Sequence, residues 1–281
     1  TSFVMNGINI VGNGILIYGA GLAVVGAATA TLISRILGAV YMLWLLEHKD
    51  NPLCIRGMLK LRPKWKMVRP ILMIGIPNGV ENGLFQVGKI LVASLISSFG
   101  TYAITANAVA NTLAGLEYVP SSAIGLAMIT VVGQCIGAGD DRQTVANVKR
   151  MMIISYIAMT VCDLAMIAMA APLIGFYNTT EQTAKVAWNL VFIHSAMGII
   201  FWPASFTLPN ALRAAGDAKF TMIVSMASMW ACRIGLSFLL GITFDMGVQG
   251  VWIAMTIDWI FRAVIFVWRF AAGGWKGKKV V

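Results

Sequence analysis

Long apolar runs, separated by short polar segments, repeat along the whole chain. A helix needs about 20 apolar residues to cross the hydrocarbon core of a bilayer. Transmembrane strands would alternate apolar and polar residues, and these runs do not. The pattern therefore predicts an all-α polytopic membrane protein with about eight transmembrane helices, at residues 2–19, 25–46, 71–97, 103–136, 150–171, 186–208, 220–241 and 248–270.

The run at 103–136 is too long for one straight crossing. Pro120 lies near its middle, and a proline inside a helix removes a hydrogen bond and clashes with the preceding turn. We therefore expect this span to be kinked or to carry extra turns at the membrane interface.

Composition excludes a soluble enzyme and a disordered chain. Of 281 residues, 59% are hydrophobic and 11% are charged, against about 25% charged residues in an average soluble domain. The mean hydropathy is +0.81. The two histidines, His48 and His194, belong to no pattern of metal-ligand spacing, and no nucleophile motif is present. We predict no enzyme activity, no metal site and no cofactor.

The net charge of +10 could indicate a nucleic-acid partner, but the cations follow the positive-inside rule of membrane proteins. They concentrate in alternate connections, whereas the opposite side of the membrane holds Lys185. The basic side comprises the loop 47–69, Arg142, Lys149, Arg150, Arg213, Lys219, Arg269, Lys276, Lys278 and Lys279. We predict a multi-pass protein of the plasma membrane, with membrane lipid rather than nucleic acid as its partner and with both chain ends cytoplasmic.

An internal repeat relates residues 1–46 to residues 220–270. Each contains a span dotted with polar residues, a Gly-rich turn and a second span, and Gly26 corresponds to Gly250. Repeated halves are common in transporters. Four spans precede the second copy and none precedes the first, so we expect a parent protein with four further N-terminal spans and two six-helix lobes.

This interpretation gives the domain organisation. Residues 1–46 would be the last two helices of the first lobe, and 47–69 a basic cytoplasmic loop between the lobes. Residues 70–272 would be the complete six-helix second lobe, followed by a basic cytoplasmic tail at 273–281.

Three segments resemble a known family. Residues 209–222 contain Leu-Arg-x-x-Gly-Asp, which is similar to the signature closing the fourth helix of each half in the multidrug and toxic compound extrusion (MATE) family. Residues 75–88 and 106–139 resemble the first two helices of that family's second half. The resemblance covers helices five to twelve of twelve.

The resemblance implies secondary active efflux of small cationic or amphipathic compounds by two lobes that rock to alternate access. The exchanged ion would be Na⁺ or H⁺, and we expect a monomer. Two alternatives stay open, a flippase for lipid-linked saccharides from the same superfamily and an inactive truncated fragment. Coupling acids of some family members would fall near Phe85 or Gln86, and near Trp202 and Pro203, so the resemblance leaves the ion open.

Polar side chains at membrane depth are costly and are the first functional candidates. The span at 71–97 carries a polar stripe at helical spacing, formed by Asn78, Glu81, Asn82, Phe85, Gln86 and Lys89. Glu81 could bind the coupling cation or proton, or it could pair with Lys89 to hold the lobe together. Because a fixed cation repels cationic substrates, Lys89 is a counter-charge in this interpretation.

The later spans carry further candidates for substrate or ion binding. Asn107 and Asn111 share a helix face that leads to Glu117, which either binds the ion, packs with Lys89 or lies at the interface. Asp163 and His194 are isolated candidates.

Three arginines in the spans call for structural roles. Asp258 and Arg262 are four residues apart and predict a structural ion pair. Arg35 and Arg233 would reach toward an interface or a partner.

Overall fold

A computed structural model describes residues 2–47 and 64–277. In these ranges the chain is helical and contains no strand, as predicted. It divides into two units, Thr1–Lys64 and Trp65–Val281.

The described residues of the first unit form a helical hairpin. Helix α1 (Ser2–Asn13) continues into a π-helical segment, Gly14–Gly19, and α2 (Ala23–Glu47) returns. Gly21 makes the turn with a φ of +67°, a conformation that glycine adopts without strain. We call this the first hairpin.

The second unit contains the rest of the described chain. Its α-helices are α3 (Trp65–Ser97), α4 (Thr101–Glu117), α5 (Val119–Gly137), α6 (Asp141–Gly175), α7 (Glu181–Trp202), α8 (Leu208–Ala214), α9 (Ala218–Ser228), α10 (Leu236–Phe238) and α11 (Gly247–Ala271). The π-helical segment Pro203–Thr207 joins α7 to α8, Met229–Gly235 joins α9 to α10, and Leu239–Thr243 follows α10. We call α9 to α11 the second hairpin.

Helical segments occur at all eight predicted positions. Six have the length and hydropathy of a membrane span within the described residues, namely Ala23–Leu46, Val119–Gly137, Asp141–Gly175, Glu181–Ala214, Ala218–Thr243 and Gly247–Ala271. The prediction at 71–97 was wrong at its start, because α3 begins at Trp65. The remainder of the predicted loop, from 48 to 63, lies outside the described residues.

The span predicted at 103–136 is bent, as expected. Helix α4 ends at Glu117, and α5 begins at Val119 with Pro120 in its first turn. A proline is tolerated at such a position because the first N–H groups of a helix lack intrahelical partners. The helices before and after the bend have different neighbours, because α4 packs on α7 whereas α5 packs on α6 and α8.

The second unit has two apolar clusters with polar groups between them. One cluster joins the beginnings of α4, α7 and α11 to the end of α6. The other joins the end of α5 and the beginning of α6 to α8 and the end of α11. Trp275, in the predicted tail, belongs to this second cluster and is 2% exposed. The outer face of α6 carries exposed Ile153, Ile157 and Val161, which suit contact with lipid.

The two hairpins make the same backbone contacts at their turns. At Gly26 a Cβ would lie 2.9 Å from the carbonyl oxygen of Leu16, and at Gly250 it would lie 2.9 Å from that of Leu240. The N–H of Leu22 donates to the Leu16 carbonyl over 3.1 Å, as the N–H of Met246 donates to Leu240. Each of these residues in the second hairpin follows its counterpart in the first hairpin by the same number of positions. This number is also the separation of Gly26 and Gly250, which correspond in the predicted repeat.

The polar pairs at corresponding positions differ in charge. In the first hairpin Asn9 Nδ2 donates to Ser34 Oγ over 3.4 Å. At the same offset the second hairpin places Arg233 Nη1 4.0 Å from Asp258 Oδ2. A neutral hydrogen bond in one copy thus corresponds to an ionic contact in the other.

Candidate functional site

A cavity of about 390 Å³ lies in the second unit among α3, α4, α7, α8, the segment Met229–Gly235 and α11. Aromatic side chains form much of its wall, namely Phe85, Tyr118, Trp202, Phe206, Trp252 and Trp259. The rings of Tyr118, Trp202 and Phe206 stack in succession, with centroids 5.5 and 4.9 Å apart. A cavity of this size and character suits a small amphipathic molecule.

Glu81 reaches this cavity from α3, but its partner is not the predicted Lys89. Arg213 Nη2 of α8 donates to Glu81 Oε1 over 2.6 Å, and Glu81 is 8% exposed. Arg213 was expected in a cytoplasmic loop. It lies in the Leu-Arg-x-x-Gly-Asp segment, where the helical turn of α8 directs it into the lobe rather than into water.

Glu117 is the centre of a buried polar cluster that reaches the cavity through His194, whereas Glu117 itself is not among the lining residues. Its Oε2 lies 2.5 Å from His194 Nδ1, and its Oε1 accepts a hydrogen bond from Ser195 over 2.8 Å. Glu117 is 1% exposed. The expectations that Glu117 packs with Lys89 and that His194 is isolated were therefore wrong, because α4 packs on α7 and joins residues 77 positions apart.

Asp163 completes this cluster from α6 and is also not isolated. Its carboxyl interacts with that of Glu117, and its side chain is fully buried. Apart from this interaction with Glu117, no hydrogen bond reaches either of its oxygens from the described residues. A Cβ at Gly198 would lie 3.1 Å from Asp163 Oδ2, so a glycine on α7 makes room for this carboxyl.

The two asparagines of α4 link the cavity to α11. Asn111 Nδ2 donates to Asn107 Oδ1 over 3.0 Å, and Trp252 Nε1 donates to the same oxygen over 3.0 Å. Asn111 and Trp252 line the cavity, and Asn107 lines a smaller adjoining one of about 220 Å³. The hydrogen bond to Asn107 holds the Trp252 indole in place. This indole contacts His194 edge-on, at 5.8 Å between ring centroids.

The predicted ion pair on α11 is present. Arg262 Nε donates to Asp258 Oδ1 over 2.9 Å and to Ser228 Oγ over 2.7 Å. Arg233 approaches the other oxygen of the same carboxylate. The expectation that Arg233 reaches an interface was wrong, because the π-helical segment Met229–Gly235 directs its side chain toward α3 and α11.

The remaining residues of the α3 stripe differ in what they contact. Gln86 and Lys89 line the cavity. The backbone of Asn78 belongs to α3, but its side chain lies outside the described residues. Phe85 faces three cations, with Lys89, Arg233 and Arg262 at 5.5, 5.4 and 5.3 Å from its ring centroid. A coupling cation at this position would meet strong repulsion.

Sequence reasoning did not identify Arg213, Arg233, Trp259 or Ser195 as site residues. The first was marked only by the Leu-Arg-x-x-Gly-Asp segment, and the second by its isolation in an apolar span. No signal in the sequence distinguished Trp259 or Ser195, because tryptophan and serine are ordinary residues of membrane helices.

Comparison with known proteins agrees with the resemblance found in the sequence. The MatE family model matches residues 77–239, which is more than half of the chain. A probable multidrug resistance protein NorM of Thermotoga maritima is 26% identical over 254 residues, covering 90% of this chain and 54% of that protein. The uncharacterized transporter YisQ of Bacillus subtilis is 29% identical, with coverages of 88% and 54%. The chain thus spans about half the length of these curated relatives.

The fold agrees as well. A crystal structure of MATE in the straight conformation superposes with a TM-score of 0.85 at 19% identity, covering 97% of this chain and 62% of that one. The Bacillus relative is named as a transporter and the Thermotoga relative as a probable multidrug resistance protein, and neither name denotes an enzyme. The described helices include six long enough and apolar enough to cross a membrane. The chain therefore belongs to the MatE family of multi-pass membrane transporters.

Proposed function

We propose that the complete protein exports amphipathic organic compounds by secondary active antiport. The observation that carries this proposal is the buried cluster Glu117–His194–Asp163 next to an aromatic cavity of about 390 Å³. A transporter of this kind needs a substrate site and an ion site whose occupancies affect each other. Here one side chain, His194, belongs to both.

The cavity is the proposed substrate site. Its aromatic wall offers flat surfaces for an apolar body, and Gln86 and Asn111 offer hydrogen bonds to polar substituents. Such a wall accepts ligands of varied shape, because stacking demands less geometric precision than a hydrogen-bond network does. This suits the substrate range suggested by the names of the multidrug resistance relatives.

The buried cluster is the proposed coupling site, and the ion we favour is the proton. A proton shared by two buried carboxyl groups removes their mutual repulsion, and Glu117 and Asp163 form such a pair.

Coupling would act through the bond between Glu117 and His194. When a proton enters the cluster, this bond rearranges, and the imidazole presents a different charge or donor to the cavity. The Trp252 and Trp259 rings contact the same imidazole edge-on, at 5.8 and 5.0 Å. Ion binding would thereby alter the wall that holds the substrate.

The membrane arrangement remains part of the proposal. The second unit would act as one six-helix lobe, the first hairpin would belong to the other lobe, and the lobes would rock to alternate access in a monomer. The ends of the chain would be cytoplasmic, as the distribution of Lys and Arg predicts.

Transport by the complete protein in proteoliposomes tests the proposal. An imposed proton gradient should drive export of an aromatic dye, and Glu117→Gln should reduce this gradient-driven export at least tenfold. Glu181→Gln, at an exposed carboxylate, should transport like the wild type. Export that depends on a Na⁺ gradient alone, or survives Glu117→Gln, would contradict proton coupling at this cluster.

A flippase for lipid-linked saccharides is the second candidate. The observation in its favour is that four cations, Lys89, Arg213, Arg233 and Arg262, line one cavity, where a diphosphate could bind. Transfer of a fluorescent isoprenoid diphosphate lipid between leaflets, without an imposed gradient and above the rate of empty vesicles, would favour this candidate over antiport.

A further inference from the structure

The charges that line the cavity have an excess of one sign. Four lining side chains are cationic, Lys89, Arg213, Arg233 and Arg262, whereas the carboxylate that lines it is Glu81. His194, also in the wall, is bonded to the buried Glu117. A second carboxylate, Asp258, lies just behind Arg262. An organic cation would enter a wall that already repels it.

Two of the four cations are neutralised by close partners. Arg213 is 2.6 Å from Glu81, and Arg262 is 2.9 Å from Asp258. Arg233 has a weaker contact, 4.0 Å from an Asp258 carboxylate that already accepts from Arg262. Among the described residues, no carboxylate lies within salt-bridge distance of Lys89. The surplus positive charge therefore belongs to Lys89 and Arg233.

These two cations lie where a ligand could reach both. Lys89 and Arg233 line the larger cavity and the adjoining one, and both contact the Phe85 ring. The Arg233 side chain is 14% exposed. An ammonium and a guanidinium held together without a shared carboxylate repel each other, and an acidic group between them would relieve that repulsion.

Hydrogen-bond donors in the wall of the cavity also favour a ligand with an acidic group. Trp259 is 2% exposed and lines the cavity, and its Nε1 has no acceptor among the described residues. The Nε of Arg213 is also buried and has no acceptor among the described residues. Buried donors without acceptors are costly, and the oxygens of a carboxylate, sulfonate or phosphate would satisfy them.

The fold does not require the charge at Arg233. The first hairpin builds the same backbone turn, yet it holds Asn9 and Ser34 where the second hairpin holds Arg233 and Asp258. A neutral pair is therefore compatible with this helix packing. The arginine is an addition to the scaffold, and it lies at the cavity.

We propose that Lys89 and Arg233 bind the acidic group of an amphipathic organic anion, whose apolar body lies against the aromatic wall of the cavity. This inference rests on the proposed function, because it names the class of compound that the antiporter would carry. It differs from the cationic class that the family resemblance implied.

Equilibrium binding to the complete protein tests this inference without any ion gradient. Two probes share one aromatic body, 2-naphthalenesulfonate and 2-naphthyltrimethylammonium, and quenching of tryptophan fluorescence reports their binding. The sulfonate should bind at least tenfold more tightly. The double variant Lys89→Gln/Arg233→Asn should lose that preference, and Lys149→Gln/Arg150→Gln, which removes two exposed cations elsewhere, should keep it.

Additional variants separate charge from folding. Arg233→Lys should keep most of the preference, and thermal unfolding checks that each variant is folded. Equal or reversed affinities in the wild type would overturn the inference, as would an unchanged preference in the Lys89/Arg233 variant. Selective binding without gradient-driven export would leave this binding site standing and refute only the proposed antiport.

A competition experiment identifies the source of the acidic group. Geranyl diphosphate and 2-naphthalenesulfonate both carry the required charge. If the diphosphate displaces the sulfonate and also needs Lys89 and Arg233, the acidic-group site is supported and a lipid-linked diphosphate becomes its ligand. If it does not displace the sulfonate, the site is supported for free organic anions.

Discussion

The two hairpins have the same turn but different interiors. Gly26 and Gly250 each admit a backbone carbonyl to within 2.9 Å of where a Cβ would lie. Between the helices, however, the first hairpin places Asn9 against Ser34, and the second places Arg233 against Asp258. Because both sequences build the same backbone, packing requires the glycine but does not require the charges. The charged pair has to be explained by what the second unit does.

The largest expected effect concerns the ionic interior of the second hairpin. Asp258→Asn would leave the buried Arg262 and the partly buried Arg233 without their carboxylate, and breaking a buried ion pair costs about 3–5 kcal/mol. We expect a large fall in thermal stability in detergent and a low yield of folded protein.

The corresponding change in the first hairpin is the matched control. Ser34→Ala removes the acceptor of a neutral hydrogen bond at a buried position, for which about 1 kcal/mol is typical. If Ser34→Ala destabilised the protein as much as Asp258→Asn, the distinction between a neutral and an ionic interior would fail.

The shared glycines should have an intermediate effect that is similar in the two hairpins. Gly26→Ala and Gly250→Ala would each push a Cβ against backbone atoms, and overpacking costs about 1–3 kcal/mol. Thermal unfolding of both variants measures this effect.

Two other helical glycines serve as controls for that pair. At Gly7 and Gly133 an added Cβ meets nothing within 4 Å, so alanine there should be neutral or stabilising by up to about 1 kcal/mol. A tolerated Gly250→Ala would show that the close approach of Leu240 is not essential to the hairpin.

Among the changes to the charged pair, Arg233→Asn should have the smaller effect on stability. The variant gives the second hairpin the residue that already serves the first at this position, and Asp258 keeps its bond to Arg262. We expect a change in unfolding free energy below about 1 kcal/mol. A loss comparable to that of Asp258→Asn would mean that Arg233 is part of the scaffold rather than an addition to it.

The sequence was sufficient for features that depend on spacing along one helix. The apolar runs predicted where helical segments lie, Pro120 predicted the bend, and the spacing of Asp258 and Arg262 predicted their ion pair. The repeat was visible because Gly26 and Gly250 meet the same steric demand in the two hairpins.

Features that depend on packing between helices could not be predicted. Glu117 and His194 are 77 residues apart, and the choice of His194 rather than Lys89 as partner follows from the packing of α4 on α7. Arg213 was assigned to a loop because the end of α8 is not marked by hydropathy, and Arg233 was assigned to an interface because a π-helical segment changes which face a residue occupies.

The position of a bound acidic probe tests the central claim most directly. Crystals of the complete protein with an iodinated naphthalenesulfonate would locate the iodine by its anomalous scattering and the sulfonate by its density. We predict sulfonate oxygens within hydrogen-bond distance of Arg233 and Lys89, with the ring against the aromatic wall. A probe bound outside this cavity, or with its sulfonate directed away from both cations, would contradict the assignment.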